Sequence, residues 1–320
     1  MKPIRIGIVG LGKIARDHHI PSIAANYAFQ LAGVVSRHAQ LPGTPNFVSL
    51  EDMLTALPEL DAVAICTPPQ AHYEAAALAL AGGKHVLLEK PPCSSIAQLE
   101  ALVRAATSAR RTLYAAWHSQ HASGVAAAER LLRQRVLHRV QVSWMEDVRQ
   151  WHPGQRWLRE PGGFGVFDAG INALSLLTRL IPDPIFARSA RLSVPGNWAA
   201  PIAAEIELET SNGVPISAAL DYRYAGAPKW EIVFSTDLGT ATLSGGGATL
   251  TLDECTEGHS GVDLAPEYAA IYRHLDELIR RGLSDVDERP LQCVADVFLV
   301  ARHILVEPFA VSDDVDTVAT

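Results

Sequence analysis

Asp168 stands four residues before Asn172 in the run PGGFGVFDAGIN, residues 161–172. Positions i and i+4 share one face of a helix, so a helix starting here presents a carboxylate and an amide side by side. The carboxylate can take a proton; the amide can only donate and accept hydrogen bonds. Together they suit the orientation and deprotonation of a hydroxyl. Asp is also a favoured helix cap, so a purely structural role for Asp168 stays open on these grounds. The glycines of the run let the backbone come close to a neighbour as the helix begins.

A second constellation lies near the start of the chain. Gly10-Leu-Gly-Lys-Ile-Ala15 follows an apolar run at residues 4–9 and opens a helical pattern. Gly10 permits the tight turn, Gly12 lets the backbone approach a pyrophosphate, and Ala15 lets helix and strand pack closely. The helix N-terminus favours the negative charge. GxGxxA alone is weak evidence, but here it sits between strand and helix in a βαβ unit, the context that gives it meaning. At the end of the second strand an NAD site carries an acid, whereas this chain has Ser36 and Arg37. A guanidinium matches a 2′-phosphate, so NADP is the favoured dinucleotide and NAD is accepted. An arginine stacked on adenine without reading the phosphate is the alternative.

The elements that must position these residues follow from the hydrophobic pattern. Over residues 1–120, β-rich runs at 4–9, 31–36, 62–67, 85–88 and 112–116 alternate with helical stretches at 15–25, 50–57, 71–81 and 96–108. That alternation predicts an N-terminal α/β Rossmann domain, a doubly wound parallel sheet. A second domain, residues 121–310, is expected to be α+β on an open, mostly antiparallel sheet. Its helices are placed at 122–135, 168–180, 266–281 and 290–305, and its strands at 139–148, 187–194, 203–209, 214–222, 229–236, 239–244 and 249–253. The turn signals SNG, TDLG and SGGG join consecutive strands. Residues 311–320 read as a loose tail.

Composition sets limits on function. The chain has 320 residues and a net charge of −8, with no basic run, so nucleic acid is not an expected partner. No apolar run approaches the length of a membrane span, and the first apolar stretch is too short for a signal segment. The cysteines at 66, 93, 255 and 293 show no metal spacing, and reduced thiols in the cytoplasm are the plain reading. His118 and His121 stand three apart without a third ligand at fixed spacing, so no metal is expected. His18 and His19 read as a helix-surface feature.

Two further stretches carry a resemblance. CTPPQAH, residues 66–72, leaves the third strand, and LLEKPP, residues 87–92, leaves the fourth. The glycine loop, TPPxxH and EKP in this order resemble the Gfo/Idh/MocA (glucose–fructose oxidoreductase / inositol dehydrogenase) family over essentially the whole chain. AWHSQ, EDVRQWHPGQRW and EPGGFGVFDAGIN resemble the branch that oxidises L-arabinose and D-galactose at C1. The resemblance implies that Lys13 and Ile14 join Gly10, Gly12, Ser36 and Arg37 at the dinucleotide, with Thr67, Pro68, His72, Glu89 and Lys90. It places Lys90 beside the nicotinamide and the substrate oxygen. Family members carry D-x-x-x-H at the helix that opens the second domain; here the histidine is Asn172. Asp168 is therefore assigned as base, Lys90 as electrostatic partner and Asn172 as orienter. By resemblance, His118, Glu146, Trp151, His152 and Trp230 belong to the sugar site with these three.

The implied activity is NAD(P)-dependent oxidation of an aldose to its lactone, by a homodimer joined through the open sheet face. Alternatives on the same fold are cyclitol oxidation and NAD-assisted glycoside hydrolysis. A sugar- or dinucleotide-sensing regulator is the alternative of another class. The tryptophans as core and Glu146 as a plain strand end are the structural alternatives for the sugar site.

Overall fold

The structure, a computed structural model, describes residues 2–253 and 264–311. It consists of two compact units, Met1–His121 with Leu264–Glu288, and Ala122–Asp263 with Arg289–Thr320. In chain order the first unit has β1 (Ile4–Val9), α1 (Ile20–Ala24), β2 (Phe29–Val35), β3 (Asn46–Phe47), α2 (Leu50–Ala56) and β4 (Ala62–Ile65). It continues with α3 (His72–Ala81), β5 (His85–Glu89), α4 (Ile96–Ala109) and β6 (Leu113–Ala116). The strands form one sheet in the order β3-β2-β1-β4-β5-β6, every pairing parallel. This is the doubly wound order. Its strand sequence reverses at β1 and β4, and ligands of such sheets bind beyond the carboxyl ends at that point.

Local chemistry explains the helix starts. The Ser49 side chain accepts the Asp52 N–H ahead of α2, and Ser95 accepts that of Gln98 ahead of α4; each hydroxyl satisfies a backbone donor that the helix leaves unpaired. The segment after the glycine loop differs from the plain helix expected over residues 15–25. A wider π-type turn spans Ala15–His19 before α1, with the Ile20 N–H reaching the Ala15 carbonyl. This turn carries His19 into the interior, where it is fully buried, so the surface placement expected for it is corrected.

The second unit contains α5 (Val125–Leu132), β7 (Leu137–Met145), α6 (Val148–Trp151), α7 (Phe167–Leu180) and β8 (Ile185–Pro195). There follow β9 (Ala203–Thr210), β10 (Pro215–Asp221), β11 (Lys229–Thr236), β12 (Gly239–Ser244) and β13 (Thr249–Leu252). After α8 (Ala265–Arg281), which belongs to the first unit, α9 (Arg289–Val300) and β14 (Ala301–Val306) complete the chain. The sheet order is β13-β12-β11-β7-β10-β9-β8-β14, antiparallel except for β7–β10 and β8–β14. Period-2 alternation divides its faces. Val140, Val142, Ile206, Leu208, Ile216, Leu220, Ile232 and Phe234 are buried, while Glu205, Glu207 and Gln141 are exposed.

Two expectations change. The helix placed at 290–305 stops at Val300, and Ala301–Val306 adds a parallel edge strand to β8. Its apolar residues suit either state, and the backbone groups of β8 decide for the strand. The helix placed at 266–281 exists as α8, but Leu264–Glu288 packs in the first unit. Tyr268, Ile271, Tyr272, Leu275 and Leu278 join Ile6, Ile8, Phe29 and Leu87 in that unit's core. The helical period showed a buried face without showing which core it would meet. Cys255, and the expected tail from residue 312 onward, lie outside the described residues.

The glycines of the opening run have a concrete task. Gly165 has φ of 54°, and a Cβ on it would lie 2.2 Å from the Pro201 carbonyl oxygen. That same oxygen accepts the Val166 N–H at 2.8 Å, where the chain turns into α7. Replacing Gly165 by Ala should therefore destabilise the protein by on the order of 2 kcal/mol or more, through left-handed strain and a backbone collision. Urea unfolding of the variant measures this, and a midpoint equal to that of the unaltered protein would count against the tight seat.

Candidate active site

In the first unit the β1 and β4 carboxyl ends lie against each other. Gly10 has φ of 96°, and a Cβ there would come within 2.8 Å of the Thr67 nitrogen. At Gly12 a Cβ would meet nothing within 4 Å, so the backbone of the loop is open on that side. The Thr67 hydroxyl is buried with no hydrogen-bond partner among the described residues. A tight turn, open backbone and an unpaired hydroxyl at the switch point fit a dinucleotide phosphate. Ile14 precedes the π-type turn and packs on the core. Lys13 pairs with Asp17 one turn on. Beyond β2, the Ser36 hydroxyl oxygen accepts the Ala39 N–H at 3.2 Å, leaving its own proton free to donate, and Arg37 is exposed.

Two motif residues have a different part from the contacts expected of them. His72 is fully buried, with Nε2 2.6 Å from the Thr67 carbonyl and Nδ1 3.2 Å from the Pro92 carbonyl. Burial lowers its pKa, against the two carbonyl contacts, which raise it, and the ring lies between the loops that follow β4 and β5. Pro68 starts the short turn Pro69–Ala71 between Thr67 and His72. Glu89 is buried as well, and both its oxygens are engaged inside the protein. Oε1 meets His19 Nε2 at 2.9 Å and accepts the Tyr268 hydroxyl at 2.6 Å, while Oε2 accepts the Lys90 N–H at 2.9 Å. Burial alone would raise the Glu89 carboxyl. The hydrogen bond and charge of His19, the charge of His118 and the Tyr268 hydroxyl outweigh burial and hold it at about 2. His72 and Glu89 are thus scaffold for Thr67 and Lys90. His118, in the turn after β6, lies with Nδ1 2.6 Å from Glu267 Oε2.

In the second unit five of the expected residues converge. Glu146, just past β7, is 3% exposed and Asp168, in the first turn of α7, is also 3% exposed. His152 lies by both, with Nε2 2.7 Å from Glu146 Oε1 and Nδ1 3.9 Å from Asp168 Oδ2. Trp230 Nε1 donates to the other Glu146 oxygen at 2.6 Å. Trp151 packs edge-on against Trp230, their ring centroids 4.9 Å apart. Glu146 is thus no solvated strand end, and neither indole is a simple core filler. The residue preceding α7 as its cap is Val166, so Asp168 stands inside the helix rather than at the capping position. Asn172 lies one turn further on, and its Oδ1 is buried without a hydrogen-bond partner among the described residues. An amide oxygen in that state is suited to accept a ligand hydroxyl.

Sequence reasoning missed Tyr222. It is fully buried at the end of β10, and burial pushes its phenol well up. Its hydroxyl accepts the Ala169 N–H at 3.2 Å and lies 3.3 Å from His152 Nε2. One phenol therefore serves an unpaired donor of the α7 first turn and the imidazole beside Asp168. Its place in a β-alternating run gave no hint of this. Glu267 and Tyr268 were missed for a similar reason: they read as part of an amphipathic helix. Among the described residues no group of His, Cys, Asp and Glu has the arrangement of a metal site.

The profile of the oxidoreductase family with an NAD-binding Rossmann fold, GFO_IDH_MocA, matches residues 4–116. Galactose 1-dehydrogenase of Pseudomonas fluorescens is 45% identical over 312 residues, covering 97% of this chain and 99% of its own. The crystal structure of a D-galactose-1-dehydrogenase protein from Rhizobium etli superposes with a TM-score of 0.90 at 44% identity, over 97% of this chain and 99% of that one. A 3-ketoreductase from Actinomadura kijaniata, crystallised with NADP and TDP-benzene, shares the fold at a TM-score of 0.80 and 19% identity, over 95% and 99% of the two chains. With a relative this similar from end to end, and the glycine loop, TPPxxH and EKP in their structural places, the chain belongs to the Gfo/Idh/MocA family of oxidoreductases.

Proposed function

We propose that this chain oxidises aldoses at C1, with D-galactose and L-arabinose as substrates, and releases the lactone. The observation that carries the reading is the buried Glu146–His152–Asp168 cluster walled by Trp151 and Trp230. Sugar hydroxyls pair with carboxylates and imidazole, and aromatic faces suit the C–H patches of a pyranose. The 45% likeness to a galactose 1-dehydrogenase supports the substrate class. The two sugars share configuration from C1 to C4 and differ only in the C5 substituent, so one pocket serves both.

The bound dinucleotide supplies the hydride acceptor. Asp168 takes the proton of the C1 hydroxyl, and a weak carboxylate base suffices because loss of hydride leaves that hydroxyl strongly acidic. Asn172 directs the hydroxyl through its unpaired Oδ1. Lys90 supplies positive charge to the sugar oxygen as negative charge develops there. Glu146 and His152 hold further hydroxyls in place, and His118 offers Nε2, since Nδ1 is on Glu267. NADP is the favoured dinucleotide through Ser36 and Arg37, with NAD accepted. Two copies of the chain pair through the second face of the eight-stranded sheet, whose Glu205, Glu207 and Gln141 side chains favour a hydrogen-bonded interface. A cytoplasmic location suits the thiols of Cys66 and Cys93. No helix among the described residues is long and apolar enough to cross a membrane.

A panel of aldoses and cyclitols assayed with NADP and NAD tests the reading. Galactose and arabinose should give net reduced dinucleotide, whereas release of sugar from a glycoside without net reduction would favour the hydrolytic alternative. Asp168→Asn keeps the side chain's size and removes its basicity. It should lower kcat by about 10²–10⁴ with little change in melting temperature, and near-normal turnover would take the base role from Asp168. Replacing Ser36 by Asp and Arg37 by a neutral residue should shift preference from NADP toward NAD by about 1.5–3 kcal/mol. An unchanged ratio of kcat/KM for the two dinucleotides would remove Arg37 from the site.

A further inference from the structure

Leu264–Glu288 returns to the first unit after the chain has built most of the second. Its helix α8 brings Glu267, Tyr268 and Tyr272, all buried, to the ends of β5 and β6 and to the π-type turn. The Tyr268 hydroxyl donates to Glu89 Oε1 at 2.6 Å, and the opposite oxygen of that carboxylate takes the Lys90 N–H at 2.9 Å. His19 completes the set, with Nε2 2.9 Å from Glu89 Oε1 and Nδ1 2.8 Å from the Tyr272 hydroxyl. The Tyr268 ring stacks with His18 at 4.9 Å and with His118 at 5.9 Å. The neighbouring Glu267 meets His118 Nδ1 at 2.6 Å.

A buried carboxylate with hydrogen-bonded partners adds little net stability compared with a well-packed apolar cluster of similar volume. What such a network does supply is direction. The Glu89 carboxylate can hold the Lys90 amide in one place only while its own rotamer is fixed, and Tyr268 and His19 fix it from the other oxygen. On the second branch, the Glu267 carboxylate accepts a hydrogen bond from His118 Nδ1–H and fixes the orientation of the ring. A carboxylate behind a histidine orients the ring in the same way at metal sites.

We propose that Tyr268 and Glu267 of α8 are positioning residues for the dinucleotide end of this enzyme, Tyr268 acting on Lys90 through Glu89 and Glu267 acting on His118. Neither touches substrate in this scheme. The proposal rests on Lys90 and His118 serving the reaction, as read above.

The test uses the full-length protein and two kinds of readout. In Tyr268→Phe the ring and its stacking remain and one donor is lost. The Lys90 amide should then exchange with deuterium about tenfold faster in the protein without dinucleotide, and kcat for galactose should fall about tenfold, the weight of one hydrogen bond to a charged group. The KM for galactose and the melting temperature should stay close to their original values. In Glu267→Leu kcat should fall similarly, and Glu267→Gln should restore most of it, because its amide oxygen can accept the same proton. Exchange and kcat within about twofold of the original in Tyr268→Phe, or equal kcat in the Leu and Gln variants at position 267, would overturn the proposal. Should Tyr268→Phe fail to fold, the pair at position 267 decides. Lys90→Met separates the two levels: full activity there sinks the reading of Lys90, whereas an inactive Lys90→Met beside a normal Tyr268→Phe sinks only the positioning role.

Discussion

A carboxylate taken out of water must be hydrogen-bonded on its lone pairs, and this requirement organises the chemistry of both units. Glu89 and Glu267 in the first unit and Glu146 in the second are each about 4% exposed or less, and each has an imidazole nitrogen within 2.9 Å. An unpaired buried charge costs several kcal/mol per ion, so the partners are not optional. They come from distant parts of the chain: His19 precedes Glu89 by 70 residues, and Glu267 follows His118 by 149. The pairs therefore stitch loops together as they satisfy their charges. A phenol and an indole fill further acceptor sites, Tyr268 on Glu89 and Trp230 on Glu146. Aromatic residues with one polar atom suit this task, because their rings extend the apolar core while the tip reaches the carboxylate.

The parts of the fold that were legible in the sequence are those set by local pattern. Five of the six strands of the first sheet lie close to where periodicity places them, the short β3 being unexpected, and α7 begins one residue ahead of the expected Asp168. The parts that were not legible depend on partners far away in the chain. Tyr268 and Tyr272 carry a helical period that marks a buried face, yet only the three-dimensional return of α8 to the first unit assigns that face. Ala301–Val306 follows α9 without a break, and its strand state depends on the edge of β8.

The motifs behave in the same way at the level of single residues. TPPxxH and EKP mark the ends of β4 and β5, but the motif does not say which side chains face a ligand. His72 and Glu89 turn inward onto loop carbonyls, a backbone amide, an imidazole and a phenol. Thr67 keeps a buried hydroxyl without a hydrogen-bond partner among the described residues. In each motif one side chain is taken up by contacts inside the protein, His72 in the first and Glu89 in the second. The sequence shows both residues and not the division of labour, because that division depends on where hydrogen-bond partners lie after folding. His19 reads as surface for the same reason: a single π-type turn rotates it to Glu89.

Asn172 brings the argument back to α7. From Phe167 to Thr178 every residue of this helix is buried, an environment in which polar side chains are retained at a cost. An amide oxygen buried without a partner costs about 1–3 kcal/mol. Asn172 Oδ1 is buried without a hydrogen-bond partner among the described residues. A ligand without a hydroxyl for it leaves the penalty in place, and a site built this way rejects such analogues far more strongly than an apolar pocket rejects a missing methylene. Asparagine at position 172, where the resemblance expects histidine, puts an amide without a titratable proton one turn beyond Asp168 on α7.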